Sequence, residues 1–469
     1  MTSTTAGRAT RRPAAPRPGG TAGWHAGATT VVWGTSIIVA AAWLHGGELQ
    51  TLFSSGPAAL ESLGRIAGLV AANLLLYQVL LMARVPVFER GFGRDALTRA
   101  HRLTGFWSFW LMLTHVTLVT LGYATTAGVG VLPQLWTFIV TYPGMLLATA
   151  GLTLLIAVVV LSIRATRRRL RYESWHLLHL YAYLGIGLAI PHQLWSGADF
   201  LVSTAMTVYW WTLWSVALGC VIVFRLVVPA VLSARHGLRV AAVEPDGARG
   251  VAVLLEGRGL DRLRALAGQH FVFRFLDGPG WTRGHPFSLA VAPGGDRFAL
   301  AVRLVGDGTT RLAQLRPGTR VLVEGPYGAM TGNARTGGRL LMLGAGAGVA
   351  PLVALLQAEA WGWGEATLVT RDHHPDDALL TGPITELVRT RGLRWFRLDG
   401  PRTAVGPSWL PTAFETWSGR DILLDMAGKP VRGHDIYLCG PPPWMEAVRA
   451  DLAALHVPAA RIHYESFTI

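Results

Sequence analysis

Four histidines stand in two apolar stretches at nearly the same spacing: His101 and His115 are fourteen residues apart, His179 and His192 thirteen. An imidazole in hydrocarbon is costly unless it has a partner, so two in each membrane-length stretch point to ligand duty. At 1.5 Å of rise per residue the two steps climb about 21 and about 20 Å. Matched heights pair His101 with His179 and His115 with His192. A group that takes one imidazole from each of two helices, twice over, is a pair of stacked b-type haems. Fourteen residues is close to four turns and keeps His101 and His115 on one face. Thirteen leaves His179 and His192 well over a quarter-turn apart, and Pro191 can supply the distortion that closes the gap. His176, one turn before His179, is the alternative inner ligand; the spacing favours His179.

A second set of residues lies in the C-terminal half. His285-Pro286-Phe287-Ser288 offers an extended backbone to line a flavin ring and a short hydroxyl for its N5 edge. Arg303, with the glycines and hydroxyls of residues 306–310 up to Thr310, suits a pyrophosphate. Gly344, Gly346 and Gly348, with Pro351, follow an apolar strand and open an apolar helix. Glycines there let backbone N–H groups reach a dinucleotide phosphate at the helix N-terminus. Arg371 at the next strand end is placed to meet the 2′-phosphate of NADPH and makes NADPH the expected donor, with NADH the alternative because Asp372 stands beside it. Cys439-Gly440 ends a later strand and puts a small thiol where a nicotinamide would lie. Phe467, near the terminus, is an aromatic able to stack on a flavin face.

These residues need two kinds of scaffold. The chain has 469 residues, 51% of them hydrophobic. The apolar runs concentrate between residues 29 and 232, in lengths near the roughly 20 residues that span a bilayer. Six spans are expected, at 29–45, 59–82, 101–124, 143–163, 173–193 and 201–226. Residues 1–28 read as a disordered basic tail, 29–233 as the membrane domain, 234–335 as an antiparallel β-barrel and 336–469 as a parallel α/β domain. The net charge of +14 follows topology, so nucleic acid is not an expected partner. Arginines cluster in the tail (Arg8, Arg11, Arg12, Arg17), after the second span (Arg84, Arg90, Arg94, Arg99, Arg102) and after the fourth (Arg164, Arg167, Arg168, Arg169, Arg171). The loops between carry none, which puts both termini on the cytoplasmic side of the plasma (inner) membrane. Arg65, toward the outer end of the second span, departs from that bias; it reads either as a partner for a haem propionate or anionic acceptor, or as a snorkelling interfacial arginine. The two cysteines, Cys220 and Cys439, lie in different halves and imply no disulfide framework.

The four-histidine bundle, His-Pro-Phe-Ser, Gly-Ala-Gly-Ala-Gly-Val-Ala-Pro and Cys-Gly-Pro stand in the order in which they occur in the NADPH oxidase / ferric reductase superfamily, and the resemblance covers nearly the whole chain from residue 29. It implies a six-span helical bundle followed by a ferredoxin-reductase-like module. By position, it implies that His101 and His179 hold an inner haem and His115 and His192 an outer one. His285, Pro286, Phe287 and Ser288 would line FAD, with Arg303 and Thr310 on its phosphates and Phe467 over its ring. Gly344, Gly346, Gly348 and Pro351 would hold NADPH or NADH, with Cys439 and Gly440 beside the nicotinamide. Cys439, Ser288 and Phe467 would be the catalytic residues. In eukaryotic oxidases an aromatic is the final residue, whereas Thr468 and Ile469 follow here. The oxidases often carry a second histidine four residues after the outer ligand; here that position is Val119, which cannot hydrogen-bond an oxygen species. The implied activity is electron transfer from NAD(P)H to an acceptor outside the membrane, a ferric chelate or oxygen. The alternatives are a membrane-anchored flavin reductase and a haem-binding sensor or partner subunit.

Overall fold

The computed structural model describes residues 19–163, 172–197, 203–278, 280–403, 408–428 and 430–466. The tail arginines, the cluster Arg164–171 and Phe467 lie outside the described residues. The N-terminal half is helical: Gly19–His45 (α1), Glu48–Leu52 (α2), Gly56–Met82 (α3), Pro86–Phe92 (α4), Arg94–Ala127 (α5), Val131–Thr141 (α6), Met145–Ser162 (α7), Tyr172–Ser196 (α8) and Thr204–Ile222 (α9). Helix α1 starts at Gly19, so part of the expected tail is helical. Boundary chemistry is local. Ser55 caps α3 by accepting from the Ala58 N–H, with Pro57 in the first turn, and Ser203 caps α9 through Met206.

Among the described residues, five stretches are long and apolar enough to cross a membrane: Ala26–His45, Gly56–Met82, Ala96–Ala127, Met145–Ser162 and Thr204–His236. Six were expected. The helix that falls short is α8, which has the length, at 25 residues, but not the hydropathy. It carries His176, His179, His192 and Gln193, the polar groups that gave it a functional reading. Gln193 is satisfied inside the bundle, accepting from Trp210 Nε1 at 2.9 Å. Around the bundle, Leu103, Trp107, Trp110, Leu146 and Leu218 are exposed, the outward apolar face of a protein solvated by lipid.

Helix α3 runs along α5, and α7 along α8. Glycines set both contacts: a Cβ on Gly64 would fall 2.6 Å from Val119 Cγ2, and one on Gly151 would fall 2.5 Å from the Gly185 carbonyl. The two histidine helices, α5 and α8, scarcely approach each other by backbone. A gap therefore separates the helices whose imidazoles are to be shared.

After α9 the helix does not stop. Val223–Val227 is a π-helical turn and Val228–His236 (α10) continues it to the barrel. Pro229 has no N–H to return to the Arg225 carbonyl, and Val228 N–H donates to Val223 instead, which widens the turn without breaking the helix.

The barrel has six strands: Arg239–Pro245 (β1), Gly250–Glu256 (β2), His270–Phe275 (β3), His285–Ser288 (β4), Arg297–Arg303 (β5) and Val321–Tyr327 (β6). They form two antiparallel sheets, β1-β2-β5 and β4-β3-β6, joined by the bridges Arg239–Arg320 and Leu289–Leu300. Val253, Phe271, Phe273, Phe298 and Leu300 fill the interior. Leu340–Ala345 (β7), Ala366–Asp372 (β8), Arg394–Asp399 (β9), Asp435–Gly440 (β10) and Ile462–Ser466 (β11) follow. They form one parallel sheet in the order β11-β10-β7-β8-β9. The strand order reverses between β7 and β10, where such sheets open a crevice at their carboxyl ends.

Candidate functional site

His101 on α5 and His179 on α8 reach across the gap to bring their ring centroids to 6.1 Å, with planes at 67°. A metal–imidazole bond is about 2 Å and the ring centre lies about 1 Å further back, so two imidazoles on one metal have centroids roughly 6 Å apart. The pair fits an axial-ligand arrangement. His179 Nδ1 lies 3.2 Å from Ser162 Oγ, and its ring rests against Trp175 at 5.1 Å. His101 Nδ1 turns toward the Gln78 carbonyl without reaching hydrogen-bond geometry. A partner at Nδ1, as His179 has in Ser162, fixes the ring and tautomer and reserves Nε2 for a metal. His176 lies instead toward the arginines Arg84, Arg94, Arg225 and Arg274; the ring opposite His101 is that of His179.

The outer pair is held in the same way. His115 Nδ1 lies 2.8 Å from the Gly64 carbonyl, and its ring lies over Gly68, where a Cβ would come within 2.6 Å. His192 follows Pro191, which sits inside α8 without ending it. Its backbone packs on Gly144 (φ +81°), where a Cβ would stand 2.8 Å from His192 N. His192 lies in the neighbourhood of His115, and its buried Nδ1 has no hydrogen-bond partner among the described residues. Arg65 is ion-paired with Glu48 and lies 4.0 Å from Glu61 and 3.4 Å from the Tyr123 hydroxyl. Its guanidinium is thus engaged by groups of the bundle itself.

The second site forms where barrel and parallel sheet meet. Strand β4 pairs with β3 so that Ser288 stands opposite His270. The Ser288 hydroxyl is buried and has no hydrogen-bond partner among the described residues, a vacancy that a flavin edge would satisfy. His285 and Phe287 lie parallel, centroids 6.0 Å apart. His270 Nδ1 lies 3.1 Å from Glu465 Oε1 on β11. Glu465 also abuts Gly328 (φ +101°), where a Cβ would come 2.6 Å from its carboxylate. In the parallel register Cys439 sits between Gly344 and Glu465. Burial, and then the charge of Glu465, push the Cys439 thiol well up, so it is a neutral S–H and not a thiolate nucleophile. Ser288 and Cys439, found from the sequence, are thus linked through His270 and Glu465, which were not. The signal for Glu465 was the one carboxylate in the terminal strand Ile462–Ser466, which pairs with the strand that ends in Cys439-Gly440.

The glycine turn leaves β7 at the sheet's reversal point. Gly346 has φ +57°, and a Cβ on Gly348 would overlap the Cys439 carbonyl. The N-terminus of the following helix, Val349–Ala358 (α11), which holds Pro351, is thereby drawn against the end of β10 beside Gly440. That is the geometry in which a helix N-terminus meets a dinucleotide phosphate.

Residues 67–190, a stretch that holds His101, His115 and His179, match the family described as ferric reductase like transmembrane component. The protein-methionine-sulfoxide reductase heme-binding subunit MsrQ of Klebsiella pneumoniae is 33% identical over 154 residues, covering 33% of this chain and 71% of that protein. The chain belongs to the ferric reductase-like transmembrane family. This ferric reductase-like chain is also 27% identical over 214 residues to the stachydrine N-demethylase reductase subunit Stc4 of Rhizobium meliloti, covering 42% of this chain and 57% of that one. It spans little more than half the length of the curated reductases it matches. A solved structure, the ferredoxin reductase in carbazole 1,9a-dioxygenase, aligns with a TM-score of 0.41 and 21% identity over 50% of this chain and 69% of that one.

One arginine of this ferric reductase-like chain lies elsewhere than its sequence position suggested. Arg371 is buried and turned inward, its guanidinium donating to the backbone carbonyls of Asp372 and Leu398. It is not presented to a 2′-phosphate, because the β8–β9 pairing supplies carbonyls within reach. We therefore expect Arg371→Ala to change KM for NADPH and NADH in parallel and to lower stability. A selective loss of NADPH in steady-state kinetics would restore the phosphate-binding role. Arg303 is ion-paired with Asp372 and donates to the Asp377 carbonyl at 2.6 Å, beside Gly346. Burial outweighs this arginine and raises the pKa of Asp372. Thr310 is exposed at the end of a short helical turn. The groove next to it is lined by Phe275, Arg283, His285, Gly308 and Arg311, and Arg311 donates to Asp277 at 2.6 Å.

Proposed function

We propose that this chain is an NAD(P)H-dependent oxidoreductase that moves electrons across a membrane. The donor is cytoplasmic NADH or NADPH, the carriers are FAD and two b-type haems, and the acceptor is an extracytoplasmic ferric chelate or molecular oxygen, giving superoxide. The observation that carries the reading is the His101–His179 pair: two imidazoles from helices that otherwise stand apart, set at an axial-ligand separation, in the same chain as a cleft with an orphaned flavin-facing hydroxyl. When bound, flavin divides a hydride into single electrons and haem relays them one at a time.

This reading gives the residues the following duties. His101 and His179 hold the inner haem, His115 and His192 the outer. Ser288 offers its hydroxyl to the flavin edge, His285, Pro286 and Phe287 line the ring, and Phe467, outside the described residues, is proposed to cover it from the resemblance alone. Arg303 and Thr310 are the proposed flavin-phosphate residues, and Arg311 lines the groove next to Thr310. Gly344, Gly346, Gly348 and Pro351 bring the helix N-terminus to the nucleotide phosphates. Cys439 and Gly440 leave room for the nicotinamide, and the neutral thiol keeps charge away from the ring. In the bilayer α8 crosses as a sixth span, its polar rings turned to partners inside the bundle. Both termini then face the cytoplasm of the plasma (inner) membrane.

Anaerobic visible spectra of the detergent-purified protein with FAD, before and after NADH or NADPH, test this. Reduced b-type haem bands are expected, and admitting air or a ferric chelate then separates the acceptors. Haem that stays oxidised beside bleached flavin would instead favour a haem-binding sensor or partner subunit. Folded protein without haem would leave a membrane-anchored flavin reductase.

A further inference from the structure

Arg84 belongs by sequence to the cluster assigned to membrane topology. In the structure it does something else. It lies just past the end of α3 with φ +60°, a left-handed conformation that side chains other than glycine adopt at a cost. Its side chain is only 10% exposed, with Nε 3.2 Å from Glu324 Oε1 on β6 and Cζ 4.5 Å above the ring of Tyr327. Tyr327 donates its hydroxyl to Glu324 Oε1 at 2.9 Å, and Arg274 on β3 reaches Glu324 Oε2 at 3.2 Å. On the membrane side, Arg225 donates to the Met82 carbonyl at 3.1 Å and ties the end of α3 to the end of the last span. A headgroup-facing arginine needs none of this. Backbone strain held by a buried ion pair between two halves of a chain points to a function for the contact.

Resting on the transmembrane electron-transfer reading, we propose that Arg84, Glu324 and Tyr327 form a fixed joint that seats the flavin barrel on the membrane bundle and sets the spacing from flavin to inner haem. They are positioning residues. Buried ion pairs contribute little net stability against apolar packing, but removing one partner strands the other, which makes such a pair a device for orientation. Burial alone would raise the carboxyl pKa of Glu324; Arg84 and Arg274 outweigh it and hold it below the usual range. The carboxylate is therefore charged wherever the enzyme is folded near neutral pH.

The test uses the full-length protein in nanodiscs with Arg84→Met, Arg84→Lys, Glu324→Gln and the double variant Arg84→Met/Glu324→Gln. Hydrogen–deuterium exchange reads residues 80–92 and 321–327, and stopped-flow absorbance separates flavin bleaching from haem reduction. In Arg84→Met, flavin bleaching by NAD(P)H should keep its wild-type rate, haem reduction should slow roughly ten- to a hundredfold, and exchange should rise in both segments. Arg84→Lys should recover most of the transfer, and the double variant should be no slower than the worse single one. Wild-type exchange and wild-type haem reduction in Arg84→Met would overturn the joint. Should Arg84→Met fail to fold, Arg84→Lys and Glu324→Gln decide by the same two readouts. If the wild type bleaches flavin without reducing haem, it is the electron-transfer reading that fails. Exchange in the two segments still reports on the joint.

Discussion

Replacing His101 with alanine is expected to halve the haem content and to stop electrons reaching the outer acceptor, while flavin reduction by NAD(P)H continues. The expectation rests on the proposed reading, in which His101 and His179, with ring centroids 6.1 Å apart, would together hold the inner haem. Losing even a hydrogen-bond partner of a metal-bound histidine costs about 10- to 100-fold in affinity or activity, so losing the ligand should cut transfer by more than about 100-fold. His179→Ala should behave alike, and His176→Ala should not, because His176 lies toward the arginines of the joint. Pyridine haemochrome assay and ferric-chelate reduction at the outer face check the result. Two haems per chain in purified His101→Ala would refute the assignment.

The second large effect is expected at Gly348. A Cβ there would meet the Cys439 carbonyl, so Gly348→Ala has to push α11 or the end of β10 away from the other. Overpacking of this kind costs about 1–3 kcal/mol, and it falls on the two elements that frame the nucleotide crevice. KM for NADH and NADPH should rise by at least about tenfold, the equivalent of some 1.4 kcal/mol. Haem content should be unchanged, and dithionite should still reduce both haems. Unaltered NAD(P)H kinetics in a folded Gly348→Ala protein would show that the crevice does not hold the nucleotide.

What the sequence discloses depends on how local the determining contact is. Spacing along a helix marked the histidines, and a strand-to-helix glycine turn marked the crevice proposed for the nucleotide, because periodicity and turn chemistry are short-range. His270 and Glu465 escaped notice because they meet only when a barrel strand and the last strand of the parallel sheet come together. Arg371 misled because an arginine at a strand end faces outward or inward according to which carbonyls the neighbouring strand offers, and Leu398 offered one. Arg84 was hidden in a row of basic residues whose collective meaning was topology. Composition cannot tell a headgroup arginine from one that passes into the next domain. Helix α8 was legible by its histidines and for the same reason is less apolar than its neighbours.

The unbroken helix from Thr204 to His236 has a mechanical meaning. A flexible tether would let the reductase half drift to any bearing; a stiff shaft transmits rotation. One residue added between α9 and α10 would turn everything beyond it by about 100° and lift it by about 1.5 Å. Two full turns, about seven residues, would nearly restore the bearing yet leave a lift of roughly 10 Å. Bearing and height cannot both be recovered by any insertion, so the shaft's length is a fixed dimension of this molecule, like the gauge of a track.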